Sequence, residues 1–245
     1  ASKRVVFIFM VYGFCNFLSH RCFEQIKINI CSMKLPVAIV GIGPGFSFSY
    51  DGPTHHGVQD LANMYTLPEM QIVNLSDNSL ANHFSKNLSN IREPVYFRLD
   101  KGVLNSCLRK NNISDGFNFY ETKKKKILII TTGYFARLSE NLINHNQLDD
   151  VSIIDLFHFK KLNIKKLCYF LKKFKKVIIY DENTSSGGIS FIINDIILKN
   201  NISFKKIKYI CSPEKQIFIY RQDRQTLLKD LNIDQKNLYN NLLNI

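Results

Sequence analysis

The residues best suited to chemistry lie in one stretch, YDGPTHHGVQD, from Tyr50 to Asp60. Two adjacent imidazoles, His55 and His56, follow the carboxylate of Asp51. An imidazole can move protons near neutral pH, and a carboxylate can hold a hydroxyl or orient an imidazole. Arg98 adds a planar cation suited to a phosphate or carboxylate. Taken alone, these side chains describe a polar-ligand site. They also fit a plainer account, in which Asp51-Gly52-Pro53 is only a turn, the histidines are satisfied loop residues and Arg98 ends a strand in a surface ion pair. A metal site is disfavoured, because adjacent ring nitrogens point apart and no further His or Cys stands at ligand spacing.

The elements that would position these groups read as alternating strands and helices. Val37–Ile42 is an apolar run that suits a buried strand, ended by Gly43 to Gly45. Asp51, His55 and His56 follow its carboxyl end, and Arg98 ends the strand expected over residues 94–99. Ligands gather at such ends in open α/β sheets. Residues 5–10 predict another fully buried strand, residues 12–19 a polar and aromatic break, and Cys22, Ile26 and Ile30 a helical stripe. A short helix over 58–65, a strand at Gln71–Leu75 and a helix capped by Ser76 or Asp77 complete the first half. Residues 100–126, rich in Asp, Lys, Gly and Asn, interrupt the pattern. It resumes with strands at Ile127–Thr131, Val151–Leu156, 177–180 and 207–211, and helices over 135–144, 164–174, from Gly187-Gly188 to 198, and from Arg224. The expected fold class is α/β, two tandem domains each with a mostly parallel sheet flanked by helices: residues 1–105, a linker at 106–126, and residues 127–245.

Composition narrows the function classes. A hydrophobic content of 45% with 22% charged residues is globular rather than disordered, and 245 residues suffice for one large or two ordinary domains. The net charge of +13 sits in the second half, since residues 1–105 hold 9 Lys/Arg against 7 Asp/Glu and the remainder 24 against 13. The lysines fall in doublets (160–161, 165–166, 172–173, 175–176) among periodic Leu, Phe and Ile, as on solvated helix faces rather than a nucleic-acid patch. The cysteines (Cys15, Cys22, Cys31, Cys107, Cys168, Cys211) form no C-x-x-C pair and lie mostly in apolar segments, as expected of reduced thiols in a cytoplasmic protein. Lys3-Arg4 and the apolar residues after it imitate a signal peptide, but no small-residue cleavage site follows. The run is also shorter than the roughly 20 residues that span a bilayer.

The stretch D-G-P-T-H-H-G-V-Q-D-L-A-N-M-Y-T-L-P-E-M closely resembles the D-G-P-T-H-Q-x-x-E-D-L-A block of the transketolase family. Tyr12, Phe17 and R-C-F-E-Q-I (Arg21 to Ile26) resemble that family's aromatic loop and R-A-x-E-Q-I helix. E-P-V-Y-F-R-L-D-K-G resembles its G-P-x-x-I-R-x-x-K-G strand, and V-I-I-Y-D-E-N-T-S-S-G-G-I its V-V-V-x-E-E-H-x-x-x-G-G-L block. The same two domains occur in 1-deoxyxylulose-phosphate synthase and in 2-oxo-acid dehydrogenase beta subunits.

The resemblance implies a pyrimidine-binding domain and a C-terminal domain of a thiamine-diphosphate enzyme that moves a two-carbon ketol unit between sugars. It implies Tyr12 and Phe17 at the aminopyrimidine, with Arg21 bordering the cofactor pocket. His55, with Asp51 and His56, would serve proton transfer and substrate hydroxyls, and Arg98 would hold an anionic end of a sugar or sugar phosphate. Three departures qualify this. The family's cofactor-activating glutamate belongs to a G-I-A-E-Q-type segment that would precede Ala1, and no G-D-G motif with a downstream Asn is present to hold magnesium and diphosphate. Gly43 stands where phosphate-using members carry a histidine. The expectation is therefore an inactive half that needs an N-terminal, diphosphate-binding partner, with Mg2+ ligands on that partner, in a dimer or other homo- or hetero-oligomer. Two other readings are a 2-oxo-acid dehydrogenase beta-type subunit and a non-catalytic remnant acting as a basic or structural module.

Overall fold

The computed structural model describes residues 9–102 and 112–245, arranged around two sheets. The first is parallel throughout, with order β1-β2-β4-β3, from β1 (Phe9–Phe14), β2 (Val37–Ile42), β3 (Gln71–Leu75) and β4 (Val95–Leu99). Its central strands are apolar on both sides, as a doubly covered parallel sheet requires. Between β1 and β2 run α1 (Cys15–His20) and α2 (Phe23–Gln25), the latter continuing as a π-helical turn over Ile26–Cys31. These and α3 (Asp60–Tyr65) cover one face, burying Leu18, Ile26, Leu61 and Met64 against Ile39, Ile72 and Tyr96. α4 (Asn78–Lys86), capped by Asp77 accepting from the Leu80 amide at 2.7 Å, covers the β3–β4 half of the other face.

The outer half of that face is left as an apolar groove of about 350 Å³, with Met10 and Tyr12 at its edge and Val40, Ile42, Phe97 and Leu99 on its floor. The strand expected at residues 5–10 therefore needs correction. Within the described residues it runs from Phe9 to Phe14, and it is an exposed edge rather than a buried centre, with Phe9 70% and Tyr12 73% exposed. Its Phe- and Val-rich composition suits any strand, and only pairing decides edge from centre. Residues 12–19 are not a break either, since β1 passes directly into α1.

The second sheet has order β5-β7-β6-β8-β9. It comprises β5 (Phe117–Tyr120), β6 (Ile127–Thr131), β7 (Val151–Leu156), β8 (Lys176–Thr184) and β9 (Lys206–Ser212). All pairs are parallel except β5 with β7. α5 (Gly133–His145), α6 (Ile164–Leu171), α7 (Ile189–Lys199), α8 (Arg224–Asp230) and α9 (Gln235–Asn244) flank it. β5 lies inside the segment expected to be a linker, so residues 117–120 belong to the second sheet. Residues 103–111, including Cys107, lie outside the described residues. The five described cysteines are unpaired.

The two sheets are joined at β3. The Asn74 amide donates to the Phe157 carbonyl at 2.8 Å and the Phe159 amide to the Ile72 carbonyl at 3.1 Å, so the residues after β7 seal β3's free edge. Among the described residues no helix is long and apolar enough to cross a membrane.

Candidate functional site

The loop that follows β2 carries the site. Gly43 and Gly45 both take positive φ, at 74° and 64°, where a side chain would be strained. A Cβ on Gly43 would also run into the Phe48 ring, and one on Gly45 into the Glu182 carboxylate. Gly45 and Gly57 exchange both backbone hydrogen bonds at 2.8 Å, pinching the intervening residues into a closed loop. Gly52 to Thr54 form a 3-10 turn that ends at His55.

The histidine pair divides at that point. His55 is half-buried and ringed by aromatics, with centroids 5.3 Å from Phe14, 4.9 Å from Phe17 and 6.0 Å from Phe48. Its Nδ1 lies 3.0 Å from the Thr54 hydroxyl, which leaves Nε2 for exchange with a ligand. His56 turns inward, edge-on to Phe46 at 4.9 Å. Burial lowers its pKa to about 4, so it stays neutral at physiological pH. That placement does not support the catalytic part expected of His56; its ring fills the core behind the loop.

Of the other expected residues, Phe17 and Arg21 join His55. The Arg21 guanidinium stacks on the Phe17 ring at 4.6 Å, and the Lys101 ammonium lies over Phe48 at 4.8 Å, so cations flank the aromatic enclosure on two sides. Asp51 is exposed at the start of the 3-10 turn. Tyr12 stands apart, on the open sheet face beside the apolar groove. Sequence reasoning missed Phe14 and Phe48. Phe14 shares Tyr12's side of a period-two strand and sits at its carboxyl end, so that signal was available. Phe48 is found only by knowing that the loop folds back over Gly43.

Arg98 requires correction as an anion holder. It is 2% exposed, and its Nε and Nη2 donate to the two carboxylate oxygens of Asp60 at 2.8 and 2.9 Å. Nη2 also reaches the Asn183 side-chain oxygen at 2.9 Å, and Tyr96 donates to Asp60 at 2.8 Å. Burial opposes the arginine's charge and Asp60 more than restores it, so the pKa is raised overall. A cation so enclosed joins the two sheets instead of meeting substrate. Sequence offered no sign of this, because Asp60 lies 38 positions away.

Among the described residues no group of three His, Cys, Asp or Glu could hold a metal ion. The rings of Phe14, Phe17 and Phe48, with the arginine beside Phe17, offer flat apolar faces next to a cation, which suit a flat, partly charged heterocycle.

Fold and site together define a two-sheet α/β protein with a cluster of aromatic rings around His55, on the loop that follows β2 of a parallel sheet. Residues 1–106 match the family described as "Transketolase, pyrimidine binding domain". The whole chain is 26% identical, over 254 aligned residues, to a 1-deoxy-D-xylulose-5-phosphate synthase of Dehalococcoides mccartyi, covering 100% of this chain and 39% of that protein. It is 24% identical to an apulose-4-phosphate transketolase subunit of Phocaeicola vulgatus, covering 80% of this chain and 64% of that one. Among solved structures, a split-gene transketolase described as an inactive beta4 tetramer superposes with a TM-score of 0.79 at 19% identity, covering 94% of this chain and 73% of that one. Transketolase of Campylobacter jejuni gives 0.76 at 16% identity, covering 96% of this chain and 35% of that one. The chain thus spans about two-fifths of the length of the synthase it matches.

Proposed function

We propose that this chain is the pyrimidine-side half of a transketolase-like, thiamine-diphosphate-dependent transferase that moves a two-carbon ketol unit between sugars. The observation that carries the reading is His55 enclosed by Phe14, Phe17 and Phe48 at the strand ends of a domain matching the pyrimidine-binding family. In this reading residues 127–245 serve as the transketolase-like C-terminal domain. The similarity to a single transketolase subunit and to a split-gene enzyme supports a separate diphosphate-binding half as partner, which would also hold magnesium.

Thiamine diphosphate, when bound, supplies the carbanion stabilisation that ketol transfer needs. This chain supplies position. Phe17 and Phe14 offer aromatic faces to the aminopyrimidine, and Arg21 borders it. The Thr54 hydroxyl engages His55 Nδ1 and leaves Nε2 to take or give the proton of a substrate hydroxyl. Asp51 accepts from a sugar hydroxyl at the mouth. A cytoplasmic location belongs to the same reading, in keeping with unpaired cysteines.

The test mixes the chain with a diphosphate-binding half, thiamine diphosphate and magnesium, and follows ketol transfer. Turnover that needs all components, and that falls about a hundredfold or more in His55→Ala, is the expected result. A pair that binds the cofactor but shows no turnover sinks the reading. A 2-oxo-acid dehydrogenase subunit would instead release CO2 from a 2-oxo acid, and the same mixture distinguishes the two.

A further inference from the structure

We infer that Arg224, acting with Glu182 and Asp100, is the positioning residue of the catalytic loop, so that the second domain sets the geometry of a site it does not touch. The inference rests on the function proposed above only for its catalytic consequence; the positioning itself is independent of it.

Arg224 begins α8 in the second domain, and its side chain is 11% exposed. Its Nη1 donates to both oxygens of Asp100 at 3.0 and 2.8 Å, just past the end of β4. Its Nε donates to Glu182 Oε1 at 2.7 Å, its Nη2 also meets Glu182 Oε2, and the ring of Tyr134 lies 3.9 Å from the guanidinium carbon. Each carboxylate then passes the constraint to a neighbouring residue of the loop. Glu182 Oε1 accepts from the Phe46 amide at 3.1 Å, and Asp100 Oδ1 accepts from the Ser47 hydroxyl at 3.0 Å. Arg224 itself reaches the Pro44 carbonyl at 3.4 Å.

Contacts to residues 44, 46 and 47 are therefore all held by one guanidinium. The Gly45–Gly57 pair carries that constraint across to the histidines, and Phe46 packs on His56. Two further contacts from the same domain act along the loop. The Arg221 amide donates to the Ser49 carbonyl at 3.2 Å, and the Tyr220 ring fills the space beside Gly52. Gly45 must lack a side chain because Glu182 occupies its place.

The arrangement suits Arg over Lys. A planar fork bridges two carboxylates and a carbonyl at fixed angles, whereas an ammonium is a point charge. Positioning at this scale matters, since small displacements of a catalytic group cost large factors in rate.

The test compares the full-length chain with Arg224→Met, Arg224→Lys and the volume-conserving Asp100→Asn by amide hydrogen exchange. The expected result is that exchange at Gly45, Phe46 and Gly57 accelerates by about tenfold or more in Arg224→Met and Asp100→Asn, while amides in β6 and β7 keep their wild-type rates. Arg224→Lys should fall between. In the reconstituted pair, kcat should drop about tenfold with KM changed by less than about twofold. Unchanged exchange at the three loop amides overturns the inference, as does an equal acceleration in β6 and β7, which would mark a merely stabilising ion pair. If Arg224→Met does not fold, Asp100→Asn decides. If the wild-type pair has no turnover, the proposed reaction falls and the exchange result still judges the positioning.

Discussion

At the residue scale, adjacent histidines have opposite environments, and each leads to a distinct expectation. His55 is half-buried beside a hydroxyl, whereas His56 is buried against Phe46. Burial also lowers His158 to about 4, helped by Lys161. A group whose folded pKa is depressed gives up stability as pH falls, because the unfolded chain takes up protons first. The histidines' share of the stability should therefore be flat above about pH 6.5 and decline toward pH 4, while the buried Asp155, raised to about 7, works in the opposite sense over the same range. Urea titrations across that range check this, and His56→Gln should flatten the decline. Asp51 and His55 lie on the loop that follows β2. The motif could not tell which histidine faces outward, since adjacent residues in a turn differ only through packing that the neighbours along the chain do not encode.

At the element scale, β2, β3, β6 and β7 are legible from their apolar runs, with ends where the residues place them. β5 was hidden because its four residues stand between Gly116 and a lysine run, and its pairing with β7 is remote in sequence. β1 was misjudged because an edge and a centre share the same residue types. The Arg98–Asp60 pair belongs to this scale too, fastening β4 to α3 and, through Asn183, to β8. Removing one partner leaves a buried charge uncompensated, so Asp60→Ala should destabilise by about 3–5 kcal/mol in urea unfolding. The double replacement Asp60→Leu with Arg98→Met should recover much of that loss. A change below about 1 kcal/mol in Asp60→Ala would mean that the pair is solvated. Gly43→Ala should also cost stability, by more than about 1 kcal/mol, because the added carbon meets Phe48 at a positive φ.

For the whole molecule, the consequential feature is the aromatic cluster around His55, which the proposed function makes one wall of a cleft. That wall consists of Phe14, Phe17, Phe48 and His55, and beside it runs an apolar sheet face bordered by the exposed edge β1. The part of the chain built on the second sheet holds the loop of that wall through Arg224, Glu182 and Tyr220, so the two sheets act as one support. The block from Asp51 to Met70 was enough to suggest the cofactor class, while the interdomain grip depends on residues more than a hundred positions apart.

If this chain supplies the pyrimidine-side wall of a thiamine diphosphate cleft, cofactor affinity must depend on it. Titrating thiamine diphosphate with magnesium into the diphosphate-binding half alone, into the pair, and into the pair carrying Phe17→Ala separates the contributions. The expected result is tighter binding to the pair than to the half alone, weakened roughly tenfold by Phe17→Ala through loss of stacking. Equal affinity in all three mixtures, with the two halves shown to associate, would contradict the account.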